Sequence, residues 1–173
     1  MMQLTMPKDI KSIVIASHNE GKVREIRSLL DPYGYKIISA KKLGINEPIE
    51  NGMTFSENSL IKSRNAAKKS GLVALADDSG LCVNSLNYRP GIYSARWAGK
   101  NKDFGMAMKK IQKLMEKNDL LSKYNRRAFF VCSLSVYFPD GKNKVFNGRV
   151  NGHLQFPPKG LNGFGYDPIF VAK

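Results

Sequence analysis

Residues 72–80 of the chain read LVALADDSG, an apolar run that leads directly into two adjacent carboxylates. Residues 72–76 are apolar on both faces, which is typical of a strand in the centre of a sheet. The surrounding sequence alternates between short apolar runs and segments with helical spacing. Further strands are predicted at 11–16, 35–39, 81–83, 128–137 and 144–150, and helices at about 23–30, 54–70 and 104–115. This order predicts an α/β protein with a mixed β-sheet and flanking helices.

Three stretches lack periodicity and are predicted to be irregular. Residues 41–53 and 84–102 are expected to be loops, and the chain from Gly152 onward is rich in Gly and Pro, so we expect little regular structure there. Residues 139–142, with the sequence PDGK, have the composition of a hairpin turn.

Composition and length exclude several classes of protein. The 173 residues, 42% of them hydrophobic, are enough for one domain or two tightly joined lobes with a buried core. The two cysteines, Cys82 and Cys132, form neither a disulfide framework nor a Cys-x-x-Cys pair, which favours a reducing cytoplasm. Apolar stretches fall far short of the roughly 20 residues of a membrane helix, and residues 1–11 do not resemble a signal peptide.

The chain is strongly basic, with 28 Lys and Arg against 14 Asp and Glu and a formal net charge of +14. Such a charge favours an anionic partner, either a nucleic acid or a small polyphosphate. The basic residues are scattered in pairs without a run of five or more, so most of them are interpreted as solvated helix faces.

The first candidate site is SHNEGK at residues 17–22, which follows a predicted strand and opens a predicted helix. Free backbone N–H groups and the helix dipole favour an anion at such a position. Lys22 lies in the first turn, where the dipole disfavours a cation by about 0.3–1 kcal/mol, and a bound polyphosphate would reverse that penalty. The alternative is that Asn19 is only an N-cap and Lys22 points into solvent. The segment is not a Walker A loop.

The second candidate site is the Asp77–Asp78 pair, whose side chains point in opposite directions if the strand continues. One carboxylate facing a cleft suits Mg²⁺, which also takes water and substrate phosphate oxygens; the alternative is a polar turn capped by the Asp side chains. Glu57 has the local role of a capping box that starts at Thr54. Glu50 has no such role and is the better second metal contact, and Lys62 could add a positive charge.

The third candidate site is GLNGFGYDPIF at residues 160–170. Glycines on both sides of Phe164 let backbone approach a flat ligand, and Phe164 and Tyr166 offer stacking faces for a nucleobase. Asp167 could accept a hydrogen bond. The alternative is a glycine-aromatic loop that packs on the core.

Together these motifs resemble the inosine triphosphate pyrophosphatase family, also called the Ham1 family. Residues 17–22 fit its [S/T]-x-N-x-x-K signature, residues 54–62 fit its next helix, and residues 76–81, 90–97 and 163–168 match its bacterial branch. The resemblance implies an Mg²⁺-dependent hydrolase that converts ITP, dITP and XTP to the monophosphate and pyrophosphate, and so removes aberrant purines from the nucleotide pool. It also implies two α/β lobes around a long, twisted mixed sheet with a central cleft, usually as a homodimer.

The resemblance also assigns roles to residues. Lys22, Lys62 and Asp78 would be catalytic, with Asp78 as a metal ligand and Glu50 as the second. The remaining substrate contacts would be Ser17, His18, Asn19, Glu20, Gly21 and Ser79 around the triphosphate, and Phe164, Gly165, Tyr166 and Asp167 around the base and sugar.

One departure from the family concerns its last segment. Family members continue beyond the Tyr-Asp-Pro segment into a further helix and a Ser-His-Arg motif that contacts the purine, whereas this sequence ends at Lys173. We therefore expect a single domain over residues 1–173 that lacks this segment and discriminates hypoxanthine from adenine less well. The expected location is the cytoplasm, with neither membrane nor nucleic acid as a partner. The alternatives are a basic nucleic-acid-binding domain without catalysis, and an inactive remnant of the enzyme.

Overall fold

The computed structural model describes residues 11–160 and 163–173, and the expectations about residues 1–10 and about Leu161 and Asn162 lie outside this part. The strands are β1 (Ser12–Ile15), β2 (Lys36–Ser39), β3 (Val73–Val83), β4 (Arg127–Tyr137), β5 (Asn143–Leu154) and β6 (Phe170–Ala172). The helices are α1 (Glu20–Leu30), α2 (Phe55–Ser70), α3 (Ser94–Trp97) and α4 (Phe104–Lys117). The strands form one sheet in the order β2-β1-β3-β4-β5-β6. Because β1 is parallel to β2 and β3 while β5 is antiparallel to β6, the predicted mixed α/β sheet is confirmed.

The ends of α2 follow the signals in the sequence. The Thr54 side chain accepts a hydrogen bond from the backbone N–H of Glu57, 3.1 Å away, which satisfies one of the free donors of the first turn. At the other end, Gly71 adopts the left-handed conformation with φ of 70°, and this conformation terminates the helix. The helix predicted at 54–70 is therefore confirmed.

The two faces of the parallel strands are covered by different helices. Val23 of α1 belongs to a buried cluster with Ile15 of β1, whereas Ala67 of α2 belongs to another cluster with Ala74 of β3. Since alternate residues of a strand face opposite sides of the sheet, odd-numbered positions of β3 near residue 75 face the α1 side and even-numbered positions face the α2 side.

The structure differs from the sequence-based expectations at three places. β3 does not end at the carboxylates but continues to Val83. Leu81 and Val83 in this continuation are buried in the core. The predicted loop at 84–102 contains α3 and short 3₁₀ turns, which are too short to show a hydrophobic period. The chain beyond Gly152 completes β5 and forms β6, and the missing Cβ of Gly152 leaves room for the close carbonyl of Val171.

The chain divides into two compact units, and each has its own core. The first unit comprises residues up to Asp78 together with Ser133–Phe146, and the second comprises Ser79–Cys132 and Asn147–Lys173. The core of the second unit includes Leu81, Ile111, Met115, Leu154 and Ile169. Within residues 11–160 and 163–173, no helix has both the length and the apolar character needed to span a membrane.

Candidate active site

The loop between β1 and α1 is organised by its own side chains. Asn19 caps α1, because its Oδ1 accepts hydrogen bonds from the backbone N–H groups of Gly21 and Lys22 at 3.0 and 3.4 Å. Ser17 supports this turn, since its hydroxyl accepts from the backbone N–H of Asn19 at 3.1 Å. Glu20 is exposed in the first turn. Asn19 is thus an N-cap, and two of the helix N–H groups are already used.

Lys22 does not point into solvent, so the alternative that placed it there is wrong. Its ammonium group forms an ion pair with the carboxylate of Asp77. The Lys22 side chain is 24% exposed and that of Asp77 is 10% exposed, which makes this a largely shielded pair. The penalty for a cation in the first helical turn is therefore offset within the structure by a carboxylate of β3.

His18 joins the first loop to the segment before Glu50. Its Nε2 lies 2.8 Å from the carbonyl oxygen of Ile45, and since a carbonyl only accepts, Nε2 is the donor. The backbone N–H of His18 also donates to the Glu47 carboxylate at 3.2 Å. Both contacts hold the 45–47 segment against the turn that carries Asn19.

Asp78 lies on the opposite face of β3 from Asp77 and meets a lysine from the other helix. Lys62 of α2 places its Nζ 3.2 Å from Asp78 Oδ1 and 2.9 Å from Glu50 Oε1. The side chains of Lys62 and Asp78 are 13% and 11% exposed, and that of Glu50 is 31% exposed. One buried ammonium group is therefore shared by two carboxylates.

Burial and charge act against each other in this cluster. Burial alone would lower the pKa of Lys62, but the carboxylates of Asp78 and Glu50 outweigh it, so the pKa of Lys62 is raised above its usual value. Burial raises the pKa of Asp78, and the neighbouring Lys62 offsets only part of that rise. Asp77 also contributes to the raised pKa of Lys62, which places the two ion pairs within electrostatic range of each other.

Glu50 is positioned by a loop that docks onto the start of α2. The backbone N–H of Gly52 donates to Asn58 Oδ1 at 2.8 Å, and that of Met53 donates to Glu57 Oε2 at 2.6 Å. A Cβ on Gly52 would lie 2.7 Å from both Asn58 Oδ1 and Glu57 Cβ, so only glycine fits here. Glu57 has a local role at the start of α2, and the donor to its carboxylate is the N–H of Met53, one residue before the N-cap Thr54. Asn58 was missed as a site residue, because its sequence position indicates only that it shares a helix face with Lys62.

The residues of the first unit offer few ligands for a metal ion. Oδ2 of Asp78 is buried and has no hydrogen-bond partner in the part of the chain that the structure describes. Carboxylate oxygens such as this one, with Glu50 nearby, fit a hard divalent cation. No cluster of three or more His, Cys, Asp or Glu suited to a metal occurs within 11–160 and 163–173. A cation here would need further ligands from water or an anionic substrate.

The other predicted site residues lie in the second unit. Ser79 follows Asp78 in β3 and is half-buried. Phe164 is 56% exposed. The backbone N–H of Phe164 donates a hydrogen bond to Asp167 Oδ2 at 2.9 Å. Gly165 has a positive φ of 67°.

Tyr166 does not offer an exposed stacking face, in contrast to the expectation from sequence. It is 2% exposed, its ring lies edge-on to Phe104, and its hydroxyl donates to the carbonyl of Ser94 at 2.8 Å. Burial also raises the pKa of the Tyr166 hydroxyl. Of the two aromatic residues in this loop, only Phe164 presents a ring to solvent.

The chain is similar to proteins of one family. The profile of the Ham1 family matches residues 13–173. A dITP/XTP pyrophosphatase of Zymomonas mobilis is 56% identical over 161 residues, covering 92% of this chain and 76% of the relative, and one of Caulobacter vibrioides is 52% identical, covering 93% and 81%. Among solved structures, a HAM1 protein from Coxiella burnetii is 39% identical with a TM-score of 0.84, covering 93% of this chain and 81% of that one. With its motifs, its sheet and these relatives in agreement, the chain belongs to the Ham1 family.

Proposed function

We propose that the protein is a nucleoside triphosphate pyrophosphohydrolase that converts dITP, XTP and ITP to the monophosphate and pyrophosphate and so removes aberrant purine nucleotides. The dITP/XTP pyrophosphatase activity of the relatives supports this proposal. The observation that carries it is the pair of lysines, Lys22 at the start of α1 and Lys62 of α2, each held by carboxylates in the same unit. Two lysines and three carboxylates in one unit can bind both a polyphosphate and a divalent cation.

In this proposal, the lysine side chains bind the phosphates. The N–H groups of Gly21 and Lys22 are already used by Asn19, so the ammonium groups of Lys22 and Lys62 supply the positive charge. These groups stabilise the negative charge that develops as the bond between the α-phosphorus and the leaving pyrophosphate breaks. The overall charge of +14 attracts a substrate of this kind.

Asp78 is proposed to act on the attacking water. Its Oδ2 is the free oxygen of this carboxylate, and burial raises its pKa, which makes it a stronger proton acceptor than an exposed aspartate. We propose that Asp78 and Glu50 hold Mg²⁺, which when bound neutralises phosphate charge and activates water. Phe164 is proposed to stack on the base, since its ring is exposed. The homodimer and the cytoplasmic location remain part of this proposal.

The ion pairs in the structure support the further proposal that metal and nucleotide bind together. A cation alone would take Asp78 and Glu50 from Lys62 and leave a buried ammonium group without a partner. A triphosphate alone would take Lys22 and Lys62 from their carboxylates. When both bind, each charged group exchanges one partner for another, so we expect the two affinities to be coupled by about 5- to 150-fold.

Pyrophosphate release tests the proposed function. The purified chain is incubated with dITP, XTP, ITP or ATP and with Mg²⁺, and the pyrophosphate formed is measured. We expect release from the three aberrant nucleotides and scarcely any from ATP. A folded protein that releases none would contradict the proposal. Tight, salt-sensitive binding to single-stranded nucleic acid without turnover would favour the nucleic-acid-binding alternative instead.

A further inference from the structure

Asn58 is a fully buried polar residue near the start of α2, and its contact with Gly52 identifies which end of its amide is the oxygen. It is 0% exposed. Its Oδ1 lies 2.8 Å from the backbone nitrogen of Gly52, which can only donate, so this end of the amide is the oxygen. The other end is therefore the Nδ2 donor. In the described part of the chain this nitrogen has no hydrogen-bond partner.

Asp78 has a matching acceptor. Its Oδ1 receives the ammonium group of Lys62 at 3.2 Å, whereas its Oδ2 is buried and has no partner within the described residues. These two side-chain atoms, Asn58 Nδ2 and Asp78 Oδ2, are the buried ones without a partner in residues 11–160 and 163–173. The hydroxyl of Ser59, next to Asn58 in α2, donates to the carbonyl of Ala76 at 3.0 Å, and Lys62, one helical turn after Asn58, contacts Asp78, so this part of α2 lies along this part of β3. A buried donor without an acceptor and a buried acceptor without a donor are each unfavourable.

We propose that Asn58 is a positioning residue for Asp78: Nδ2 and Oδ2, which are both buried and unpaired in the described part of the chain, pair with each other in the working protein, and this bond fixes the orientation of the carboxylate. At its other end the same amide holds Gly52, and with it the loop that carries Glu50. A carboxylate oxygen has two lone pairs, so Oδ2 can accept from Asn58 and still contact a water or a cation. This inference rests on the proposed function and adds to it one residue that touches neither substrate nor metal.

Asn58 could instead serve only to hold the loop, and the two ends of the amide separate these roles. Asn58→Asp keeps an oxygen for the N–H of Gly52 but removes the donor toward Asp78. Asn58→Leu keeps the branching at Cγ and the number of heavy atoms, and it removes both interactions. Asn65→Asp is the matched control, because Asn65 lies on the same helix and its Nδ2 donates to the carbonyl of Asn46 in the same loop, 3.1 Å away.

The test combines binding with turnover in the full chain. The variants are titrated calorimetrically with the α,β-methylene analogue of dITP and Mg²⁺, which gives Kd and the binding-competent fraction. Values of kcat and KM are then measured with dITP at pH 8.5, because a high pH favours the ionised form of the introduced carboxyl. For Asn58→Asp we expect Kd and KM within about threefold of wild type and a kcat about 10- to 100-fold lower, as for loss of a hydrogen bond to a charged group. Asn58→Leu should lose at least as much, and Asn65→Asp should stay within about threefold.

A spectroscopic measurement tests the contact without turnover. The side-chain NH₂ signals of Asn58 in ¹⁵N-labelled protein are assigned by their loss in Asn58→Asp. They should shift in Asp78→Asn, while those of Asn65 should not.

Three results would overturn the inference. Folded Asn58→Asp could have the kcat of wild type, or its loss of kcat could be no larger than its loss of binding-competent protein. The side-chain NH₂ signals of Asn58 could also stay unshifted in Asp78→Asn. A wild-type chain that shifts these signals but releases no pyrophosphate would contradict the proposed function and leave the contact itself established.

Discussion

Replacement of Lys62 by Met tests the buried ion cluster most directly. The variant keeps most of the side-chain volume and removes the ammonium group that lies 2.9 Å from Glu50 and 3.2 Å from Asp78. Asp78 and Glu50 then lose the ammonium group that they share. We expect Lys62→Met to lower the free energy of unfolding and to abolish turnover.

The size of the effect follows from burial. Removing one partner of a buried ion pair typically costs about 3–5 kcal/mol, because the other charge stays buried and unpaired. Lys62 and Asp78 are largely shielded from water, but Glu50 is 31% exposed, so solvent screens part of the second pair. We therefore expect Lys62→Met to cost about 2–4 kcal/mol at pH 7.5.

A second substitution in the same protein, Asp78→Asn, tests whether the Asp78 charge stabilises or destabilises the fold. Because burial raises the pKa of Asp78, its ionised form is less favoured in the folded chain than in the unfolded chain, and Asp78 therefore destabilises the fold as pH rises above its ordinary pKa. Asp78→Asn alone should thus cost little. Added to Lys62→Met it should restore about 1–2 kcal/mol, because it removes the unpaired charge.

Urea unfolding of the four proteins measures this coupling. Equal m-values would show that the unfolded states are comparable. Lys69→Met, at an exposed position of the same helix, is the control and should change stability by less than about 1 kcal/mol. The reasoning is refuted if the double variant is less stable than Lys62→Met. Turnover should stay absent in the double variant, so stability returns without activity.

Three further predictions concern other parts of the molecule. Asp78→Asn should abolish pyrophosphate release with nearly unchanged folding, whereas Glu57→Ala should mainly cost about 0.5–2 kcal/mol of stability; equal rate losses would mean that the carboxylates are misassigned. Gly52→Ala places a methyl 2.7 Å from neighbouring atoms and should destabilise by about 1–3 kcal/mol in urea, and a neutral result would contradict the docked loop. Burial raises the pKa of Cys82 to about 11. Iodoacetamide at pH 8 should therefore modify only the exposed Cys132 in the native protein, and both thiols after unfolding. Labelling of both thiols in the native protein would contradict the burial of Cys82.

Local signals in the sequence were sufficient for the elements that position the site. Thr54 and Gly71 fixed the two ends of α2, because caps act within a few residues. The alternation of side chains along a strand predicted that Asp77 and Asp78 diverge, and the structure places them with lysines of different helices.

Contacts between distant segments could not be predicted from the same signals. Lys22 and Asp77 are 55 positions apart, and His18 and Ile45 are 27 apart. Helix propensity and hydrophobic spacing describe neighbours along the chain, so they carry no information on such pairs. For the same reason the sequence predicted an exposed stacking ring for Tyr166, although its hydroxyl donates to the carbonyl of Ser94.

The continuation of β3 through Asp77 and Asp78 explains why one dipeptide serves two helices. A turn at this point would have exposed both carboxylates to water, where a paired lysine contributes little. In a continuing strand, Asp77 faces the side covered by α1 and Asp78 the side covered by α2. Each therefore receives a lysine from a different helix while the two ion pairs stay within electrostatic range. A single strand thus holds both lysines through adjacent carboxylates, and the apolar run before Asp77 keeps that strand buried.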